Sequence, residues 1–291
     1  TGTGLNVVNV GAGTWAESVA ADIDNLVLKG ANAGVPGNYA RTDETLITSG
    51  SAGVHVTADN VVINGFKIDG TENGVLIEAA SNSIVRDNVI MNTSMHGVVG
   101  LGGKNTLIYR NRIGTGGESR NIGEDGIHLV ENIGARIVNN QVGQTVDAGM
   151  DIDRSEGVHI SGNYVDNTGT DGINLYDSRH AVLKRNRVGL KGGPKSIGGN
   201  GINLYLSHGA MILDGYVFNT GENGIDIDRS EGVHIVRNAI SLIDNDAINL
   251  YRGSDSVIEN NRIGMKGGAG NIGGDGIDPV SYTHLRAHET R

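Results

Sequence analysis

The sequence predicts an all-β solenoid, and two observations support this: the glycine content and a long internal repeat. Of the 291 residues, 47 are glycine, only 4% are aromatic and three are proline. An ordinary helical domain is excluded, because glycine costs roughly 0.5–1 kcal/mol at each interior helix position. Collagen is excluded as well, since the glycines keep no three-residue period. The internal repeat then distinguishes among the remaining β architectures.

The repeat is visible in two nearly identical segments, which span positions 149–160 and 224–235, an offset of 224 − 149 = 75. The same offset links other glycines, so each 75-residue block divides into steps of 23, 29 and 23. The basic unit is therefore a 23-residue copy, with a six-residue insertion in every third copy. The copies start at Gly53, Gly74, Gly97, Gly126, Gly149, Gly172, Gly201, Gly224, Ala247 and Gly276.

Each copy contains three short apolar segments. The first alternates as a strand does, for example Ile173–Tyr176, in which the first and third side chains are apolar. Two further apolar columns follow at fixed places in each copy, one through Val85 and the other through Ile90. A leucine-rich repeat is excluded, because no leucine-rich helical segment lies between the strands. The pattern predicts a single right-handed parallel β-helix of about ten to twelve coils, with three short strands per coil.

A column of asparagine lies between these two apolar columns, and glycine replaces asparagine once, at Gly215. Asparagine and glycine are the residues that most readily adopt a left-handed backbone conformation. The column therefore predicts a left-handed turn position whose stacked side chains bond from coil to coil, a structural role. Its members are Asn88, Asn111, Asn140, Asn163, Asn186, Asn238 and Asn261.

The repeat also predicts how the chain is organised. Residues 1–52 are expected to form the N-terminal coils, and residues 53–278 the regular coils with their 75-residue super-repeat. The inserted turns, residues 114–125, 189–200 and 264–275, are expected to project from one edge. Residues 279–291 break every column, resemble translated adapter sequence and look non-native. This tail is therefore left outside the predicted fold and sites.

The glycine-spaced coils and the asparagine column resemble right-handed β-helix proteins of the pectin lyase-like superfamily. Residues 6–19, 30–34 and 59–66 look like the first coils of such proteins. Together these features resemble the β-helix modules of large secreted or surface-attached bacterial repeat proteins. The resemblance implies the fold but not the activity, because the superfamily includes lyases, hydrolases, esterases, epimerases and modules without activity.

Charge and composition narrow the class of partner. The net charge of −10, from 33 acidic and 23 basic residues, argues against nucleic acid and against an anionic membrane surface. No stretch approaches the roughly 18 apolar residues of a membrane span, and the absence of cysteine excludes disulfides and thiolate metal sites. We expect an extracellular or cell-surface, monomeric protein whose targeting segment is not part of this sequence.

Outward side chains of the first strand form two columns, two and four residues after the starting glycine. Because coils stack about 4.8 Å apart, these columns combine into a strip of carboxylates, amides and tyrosines. Carboxylates and amides bond sugar hydroxyls, and a tyrosine face covers the apolar side of a pyranose. The predicted glycan-binding residues are Asp151, Asp153, Asn174, Tyr176, Asn203, Tyr205, Asp226, Asp228, Asn249 and Tyr251. The alternative is a solvated sheet face whose copies are alike through recent duplication.

Paired carboxylates also suit glycosidases, which need separations of roughly 5–10 Å. The Asp151 and Asp153 pair recurs three coils later, whereas a catalytic centre needs one unsymmetrical environment. His128 near Asp151, with Arg154 adjacent, comes closest to the base and charge-neutralising group that lyases and epimerases of this fold use. No catalytic residue is assigned on this evidence.

Calcium is the one ion that the strip suggests, and no other cofactor is expected. Its candidate ligands are Asp151, Asp153, Asp226 and Asp228, although their spacing is not that of an EF-hand. Pairing of these carboxylates with Arg154 or Arg229 is the simpler alternative.

Two functional hypotheses follow. The first is an extracellular rigid rod that binds polysaccharide weakly, as an adhesion or structural module. The second is an enzyme, namely a lyase or epimerase acting on acidic polysaccharide, or a glycoside hydrolase. The block repeats its surface as well as its core, and this favours many weak contacts over one active centre.

Overall fold

The computed structural model describes residues 4–115, 121–190, 196–264, 272–280 and 285–288. The chain divides into two compact units, Thr1–Val146 and Asp147–Arg291. The described residues form 34 strands and no helix, and at three strands per coil this number agrees with the predicted ten to twelve coils. The predicted fold class, a right-handed parallel β-helix, is confirmed.

In the first unit every third strand pairs in parallel, so three successive strands make one coil. The three sheets have the orders β1-β4-β7-β10-β13-β16, β2-β5-β8-β11-β14-β17 and β3-β6-β9-β12-β15. The strands are β1 (Asn6–Asn9), β2 (Gly13–Trp15), β3 (Val19–Ala21), β4 (Leu26–Lys29), β5 (Thr45–Ile47), β6 (Ala52–Val56), β7 (Val62–Asn64), β8 (Lys67–Asp69), β9 (Asn73–Glu78), β10 (Ile84–Arg86), β11 (Val89–Met91), β12 (Val98–Leu101), β13 (Leu107–Tyr109), β14 (Arg112–Ile113), β15 (Ile127–Val130), β16 (Arg136–Val138) and β17 (Gln141–Thr145).

The second unit repeats this arrangement. Its sheets have the orders β19-β22-β25-β28-β31-β34, β20-β23-β26-β29-β32 and β18-β21-β24-β27-β30-β33. The strands are β18 (Met150–Asp153), β19 (His159–Ser161), β20 (Tyr164–Thr168), β21 (Ile173–Tyr176), β22 (Val182–Lys184), β23 (Arg187–Val188), β24 (Ile202–Tyr205), β25 (Met211–Leu213), β26 (Tyr216–Thr220), β27 (Ile225–Asp228), β28 (His234–Val236), β29 (Ala239–Ile243), β30 (Ile248–Tyr251), β31 (Ser256–Glu259), β32 (Arg262–Ile263), β33 (Ile277–Val280) and β34 (Leu285–His288).

The predicted coil starts are confirmed. Every predicted start lies within one residue of the first residue of a strand, and β18 pairs with β21 as the repeat requires. Ile152, predicted to face inward, is fully buried. Close packing explains the glycines. A Cβ on Gly149 would collide with the Val165 side chain and lie 2.7 Å from the carbonyl oxygen of Gly172.

Apolar side chains from all three sheets fill the interior of each unit. In the column through Val85, the side chains are at most 1% exposed, namely Val85, Ile108, Ile137, Ile160, Leu183, Ile212, Ile235 and Ile258. The column through Ile90 is also buried, except for the half-buried Ile263 near its end. Burial of one apolar row per strand fixes which side chains face outward.

The stacked asparagine side chains are present inside the turn between the first and second sheets, in every coil from Asn88 to Asn261 except that of Gly215. Asn111 Nδ2 donates to the carbonyl oxygen of Val85 at 2.8 Å and to Asn140 Oδ1 at 3.0 Å. Asn111 Oδ1 accepts the backbone N–H of Asn88 at 3.0 Å and Nδ2 of the same residue at 3.1 Å. Each amide therefore satisfies buried backbone groups as well as its neighbour in the stack.

The predicted left-handed conformation of this column was wrong. The residue just before each column member carries the positive φ, for example Asn139 at 52° and Arg237 at 56°. The column residue must direct its amide into the coil interior, so its predecessor makes the turn. Gly215 has no side-chain amide but still makes the backbone hydrogen bond of the stack, since its N–H donates to Asn238 Oδ1 at 2.8 Å.

The tail differs from its expectation in one segment. Leu285–His288 forms β34, which pairs in parallel with β31. Backbone groups at the open edge of a sheet pair with any extended segment, whatever its side chains. This strand therefore could not be predicted from the spacing of apolar residues. The remaining tail residues, 281–284 and 289–291, lie outside the described residues. So do residues 116–120, 191–195 and 265–271 of the inserted turns that were expected to project.

Substitutions at two adjacent positions should distinguish the buried amide bonding of the column residue from the left-handed turn made by the residue before it. Asn111→Ala and Asn111→Gly should destabilise the protein equally, by about 2–4 kcal/mol, because both leave the same buried groups unsatisfied. At exposed Asn139, Ala should cost about 1 kcal/mol through its disfavoured left-handed conformation, whereas Gly should be roughly neutral.

The measurement is the free energy of unfolding from urea titration of the four variants. A milder loss for Asn111→Gly than for Asn111→Ala would show that backbone conformation, and not side-chain bonding, determines the asparagine column.

Candidate functional site

The ten predicted glycan-binding residues, called the polar strip below, all lie on the third sheet of the second unit. They occupy β18, β21, β24, β27 and β30, two from each strand. Asp151 stands beside Asn174, which in turn stands beside Asn203 in the parallel register. Tyr176 stands beside Asp153 on one side and Tyr205 on the other. The structure therefore brings the predicted residues together in two adjoining rows.

The first row contains two runs of side-chain hydrogen bonds. Asn174 Nδ2 donates to Asp151 Oδ1 at 2.7 Å, and Asn203 Nδ2 donates to Asn174 Oδ1 at 3.0 Å. Further along the row, Asn249 Nδ2 donates to Asp226 Oδ1 at 2.6 Å. These bonds hold the outward groups in fixed positions on a rigid sheet, which lowers the entropy lost when a ligand binds.

The second row contains stacked rings. The rings of Tyr176 and Tyr205 are nearly parallel, with an interplanar angle of 12° and centroids 5.5 Å apart. The guanidinium of Arg229 lies 5.5 Å from the Tyr205 centroid and donates to the Tyr205 hydroxyl at 2.7 Å. Tyr176 is 41% exposed. The facing sides of the two rings are turned toward each other, so a sugar would meet their edges, their hydroxyls and the outer part of Tyr176.

A third polar column, which the sequence analysis did not identify, borders the strip. It stands one residue before the starting residue of most coils, and from Asp171 to Asp246 its side-chain oxygens accept the N–H of the same position in the next coil. Asp171 Oδ1 accepts from Asn200 N at 2.7 Å, and Asn200 Oδ1 accepts from Asn223 N at 3.0 Å. The regular spacing of these polar residues was the available signal. The column connects to the strip, since Asn203 Nδ2 donates to Asp171 Oδ2 at 3.1 Å.

Burial changes the protonation of two carboxyls on this face. Burial raises the pKa of Asp171 to about 6, against the opposing effect of its hydrogen bonds from Asn200 and Asn203, and the nearby Glu222 raises it further. Burial also raises the pKa of Asp226, although the hydrogen bond from Asn249 opposes the change. A carboxyl with a pKa of about 6 is partly protonated near neutral pH and is able to donate a proton.

The structure also places one candidate calcium ligand, Asp226, and the histidine considered for catalysis, His128. Asp226 Oδ1 also accepts from Asn223 Nδ2 at 3.1 Å, so this candidate calcium ligand already has two amide donors. His128 lies on β15 of the first unit, where its ring stacks on that of His96 with centroids 4.8 Å apart. Asp151 and Arg154, which were grouped with His128 as the nearest approach to a catalytic site, belong to the second unit.

Residues 51–193 match a family model described as the right handed beta helix region. This segment is a right-handed β-helix. The predicted resemblance to right-handed parallel β-helix proteins is thereby confirmed. No curated protein matches the sequence. None of the described residues form a helix of the length and hydropathy that crossing a membrane requires.

Solved structures share this β-helix fold at low sequence identity. The A-module of a mannuronan C-5 epimerase of Azotobacter vinelandii has a TM-score of 0.73 and 16% identity, covering 98% of this chain and 88% of the module. The Dettilon tailspike protein has a TM-score of 0.69 and 14% identity, covering 96% of this chain and 61% of the tailspike.

A third neighbour is the catalytic unit of a thermostable α-1,3-glucanase of Streptomyces thermodiastaticus, with a TM-score of 0.67 and 13% identity. The match covers 96% of this chain and 64% of that unit. The chain thus spans less than two thirds of both the tailspike and the glucanase unit. Likeness at these identities shows the fold alone.

The raised pKa of Asp171 should be measurable as pH-dependent stability. Its folded pKa of about 6 exceeds the ordinary value of 3.8, so between these values the folded state binds more protons than the unfolded state. The free energy of unfolding should therefore fall by about 2 kcal/mol through this group as pH rises from 4 to 7. Asp171→Asn should remove that part of the pH dependence.

Urea unfolding at pH 4 and pH 7 provides the comparison. Asp177→Asn is the matched control, since Asp177 is an exposed carboxylate in the same coil. Identical pH dependence in wild type and Asp171→Asn would mean that Asp171 ionises as an ordinary exposed aspartate.

Proposed function

We propose that the second unit binds polysaccharide along the polar strip, and that the chain is a rigid extracellular or cell-surface β-helix module. The observation that carries this proposal is the pair of in-register rows on the third sheet. An amide or a carboxylate recurs there at each coil, and tyrosine hydroxyls and ring edges recur on β21, β24 and β30. Sugars present hydroxyls and apolar ring edges side by side, which this combination of groups contacts.

The repetition of the strip favours binding over catalysis. Asp153 and Asp228 occupy equivalent places three coils apart, and Asn174, Asn203 and Asn249 are equivalent to one another. Equivalent contacts on successive coils bind a chain ligand through several weak interactions at once. Affinity should therefore increase with the length of the oligosaccharide.

The charge of the strip selects among polysaccharides. Asp151, Asp153, Asp226 and Asp228 make it acidic, so neutral sugars are the preferred ligands. A uronate polymer would bind only if a cation such as calcium joined its carboxylates to those of the strip, since calcium takes oxygen ligands of both kinds. The epimerase and the glucanase among the structural neighbours are named for polysaccharide substrates, which supports this ligand class.

Asp171 favours a second candidate function, that of a polysaccharide-active enzyme such as a lyase, an epimerase or a glycoside hydrolase. A carboxyl with a pKa of about 6, on the same face as Asp226, has the property of a general acid. The binding role is favoured, because Asn200 and Asn223 accept backbone N–H groups just as Asp171 does. The position of Asp171 is thus explained by coil stacking alone.

The test is binding to a glycan array, followed by titration with oligosaccharides of increasing length, with and without calcium. Tyr176→Ala combined with Tyr205→Ala should weaken binding at least tenfold and leave the melting temperature nearly unchanged, because both rings lie on the outer face. Tyr164→Ala combined with Tyr216→Ala removes two tyrosines from β20 and β26 of another sheet. This control should bind as wild type does.

No binding to any glycan, or equal losses in both double variants, would refute the binding surface. Release of new reducing ends or unsaturated sugar ends, abolished by Asp171→Asn, would establish the enzyme instead.

A further inference from the structure

A second cluster of polar side chains lies in the first unit, on the two neighbouring coils that contain β12 and β15. His96 and Asp125 each stand one residue before a starting glycine, and His128 lies on β15. One ligand atom from each of the three lies within 4.8 Å of the others. The cluster contains two imidazoles and one carboxylate, a ligand set different from the carboxylates and amides of the polar strip.

The distances suit a tetrahedral ion. Asp125 Oδ2 lies 3.3 Å from His96 Nδ1 and 3.4 Å from His128 Nδ1. Ligands bound about 2.0–2.1 Å from a tetrahedral zinc ion are about 3.3–3.4 Å apart, by the geometry of the tetrahedron. The carboxylate oxygen therefore already has the spacing from both nitrogens that shared coordination requires.

The shortest polar contact of His96 is made by Nε2, and this favours a proton on Nε2 and a lone pair on Nδ1. Its Nε2 lies 2.9 Å from Glu124 Oε2, an acceptor, so the proton belongs on Nε2. Its Nδ1 lies 3.3 Å from the backbone N–H of Asp125, a donor, which agrees with an unprotonated Nδ1. A metal ion would replace this long bond. The contact with Glu124 is the carboxylate-to-histidine contact that orients ligating imidazoles in metal sites.

The cluster is sheltered and its rings are held in place. The side chains of His96, Asp125 and His128 are 12%, 9% and 19% exposed. The imidazole rings stack with an interplanar angle of 14°, which restricts both of them. Sheltered ligands with restricted rotamers lose little entropy on binding an ion.

We propose that His96, Asp125 and His128 form a binding site for one divalent transition-metal ion, with zinc as the best fit. Two imidazole nitrogens and one carboxylate oxygen suit zinc, whereas calcium prefers oxygen ligands alone. Three protein ligands leave one coordination position for water or another ligand. The site extends the function beyond glycan binding and is independent of it.

The coil-stacking role of His96, one residue before a starting glycine, explains fewer features of the cluster than a metal site does. Accepting a backbone N–H requires only one side-chain acceptor at that place, as Asn73 shows by accepting from His96 N at 3.3 Å. It requires neither a second histidine at His128 nor a carboxylate on His96 Nε2. The two additional groups are what a metal site needs.

The experiment is calorimetric titration of the EDTA-treated full chain with zinc chloride, with metal content measured after gel filtration. One ion per chain is expected, together with a rise in melting temperature. His96→Gln combined with His128→Gln should weaken zinc binding at least 100-fold. His159→Gln combined with His234→Gln removes two exposed histidines of the second unit and should leave binding unchanged.

Glu124→Gln tests the site without removing a ligand. It should weaken zinc binding about 10-fold or more through the orientation of His96, and a circular dichroism spectrum identical to that of the wild type would show that the fold is intact. Absence of stoichiometric zinc binding, or calcium bound in its place, would overturn the proposal. Equal loss in both histidine double variants would show adventitious binding by surface histidines and would overturn it as well.

Discussion

Parallel backbone pairing between successive coils is the constraint on which the other features of this protein depend. β21 pairs with β18 and with β24, so Asn174 lies beside Asp151 and Asn203, its counterparts in the preceding and following copies. Any residue type that recurs at the same place in each copy becomes a continuous column in space. The buried apolar rows, the asparagine stack and the polar strip are all consequences of this one register.

The register also determines where polar groups are tolerated inside. Asn111 satisfies the carbonyl oxygen of Val85 and the N–H of Asn88 at once, and a stack of such amides is stable because every member is bonded. The same principle acts on the outer face, where Asn174 and Asn203 are bonded to their neighbours. A strip built in this way is rigid before a ligand arrives.

The strands and their inward faces were predictable from sequence, because burial selects apolar residues at fixed spacing. The glycine starts were predictable for the same reason: Gly149 allows the Val165 side chain to pack over it. The backbone conformation at the asparagine column was not predictable, because asparagine occurs both in left-handed turns, as at Asn139, and where a buried amide makes hydrogen bonds, as at Asn140.

Contacts that depend on the direction of a single side chain were also missed. The rows containing Tyr176 and Tyr205 followed from register, but the stacking of one ring on the other depends on rotamers. The contact between His96 and Asp125 joins two copies of the repeat across an insertion. Sequence spacing places these two residues on neighbouring coils, and only coordinates show that their ligand atoms meet.

The third sheet of the second unit is the proposed glycan-binding surface, and a crystal structure of the chain soaked with the longest oligosaccharide that binds in solution is the decisive measurement. Sugar density should cross β21, β24 and β27, with hydroxyls bonded to the strip and at least one ring against Tyr176 or Tyr205. Density confined to another face of the solenoid would show that the strip is not the binding surface.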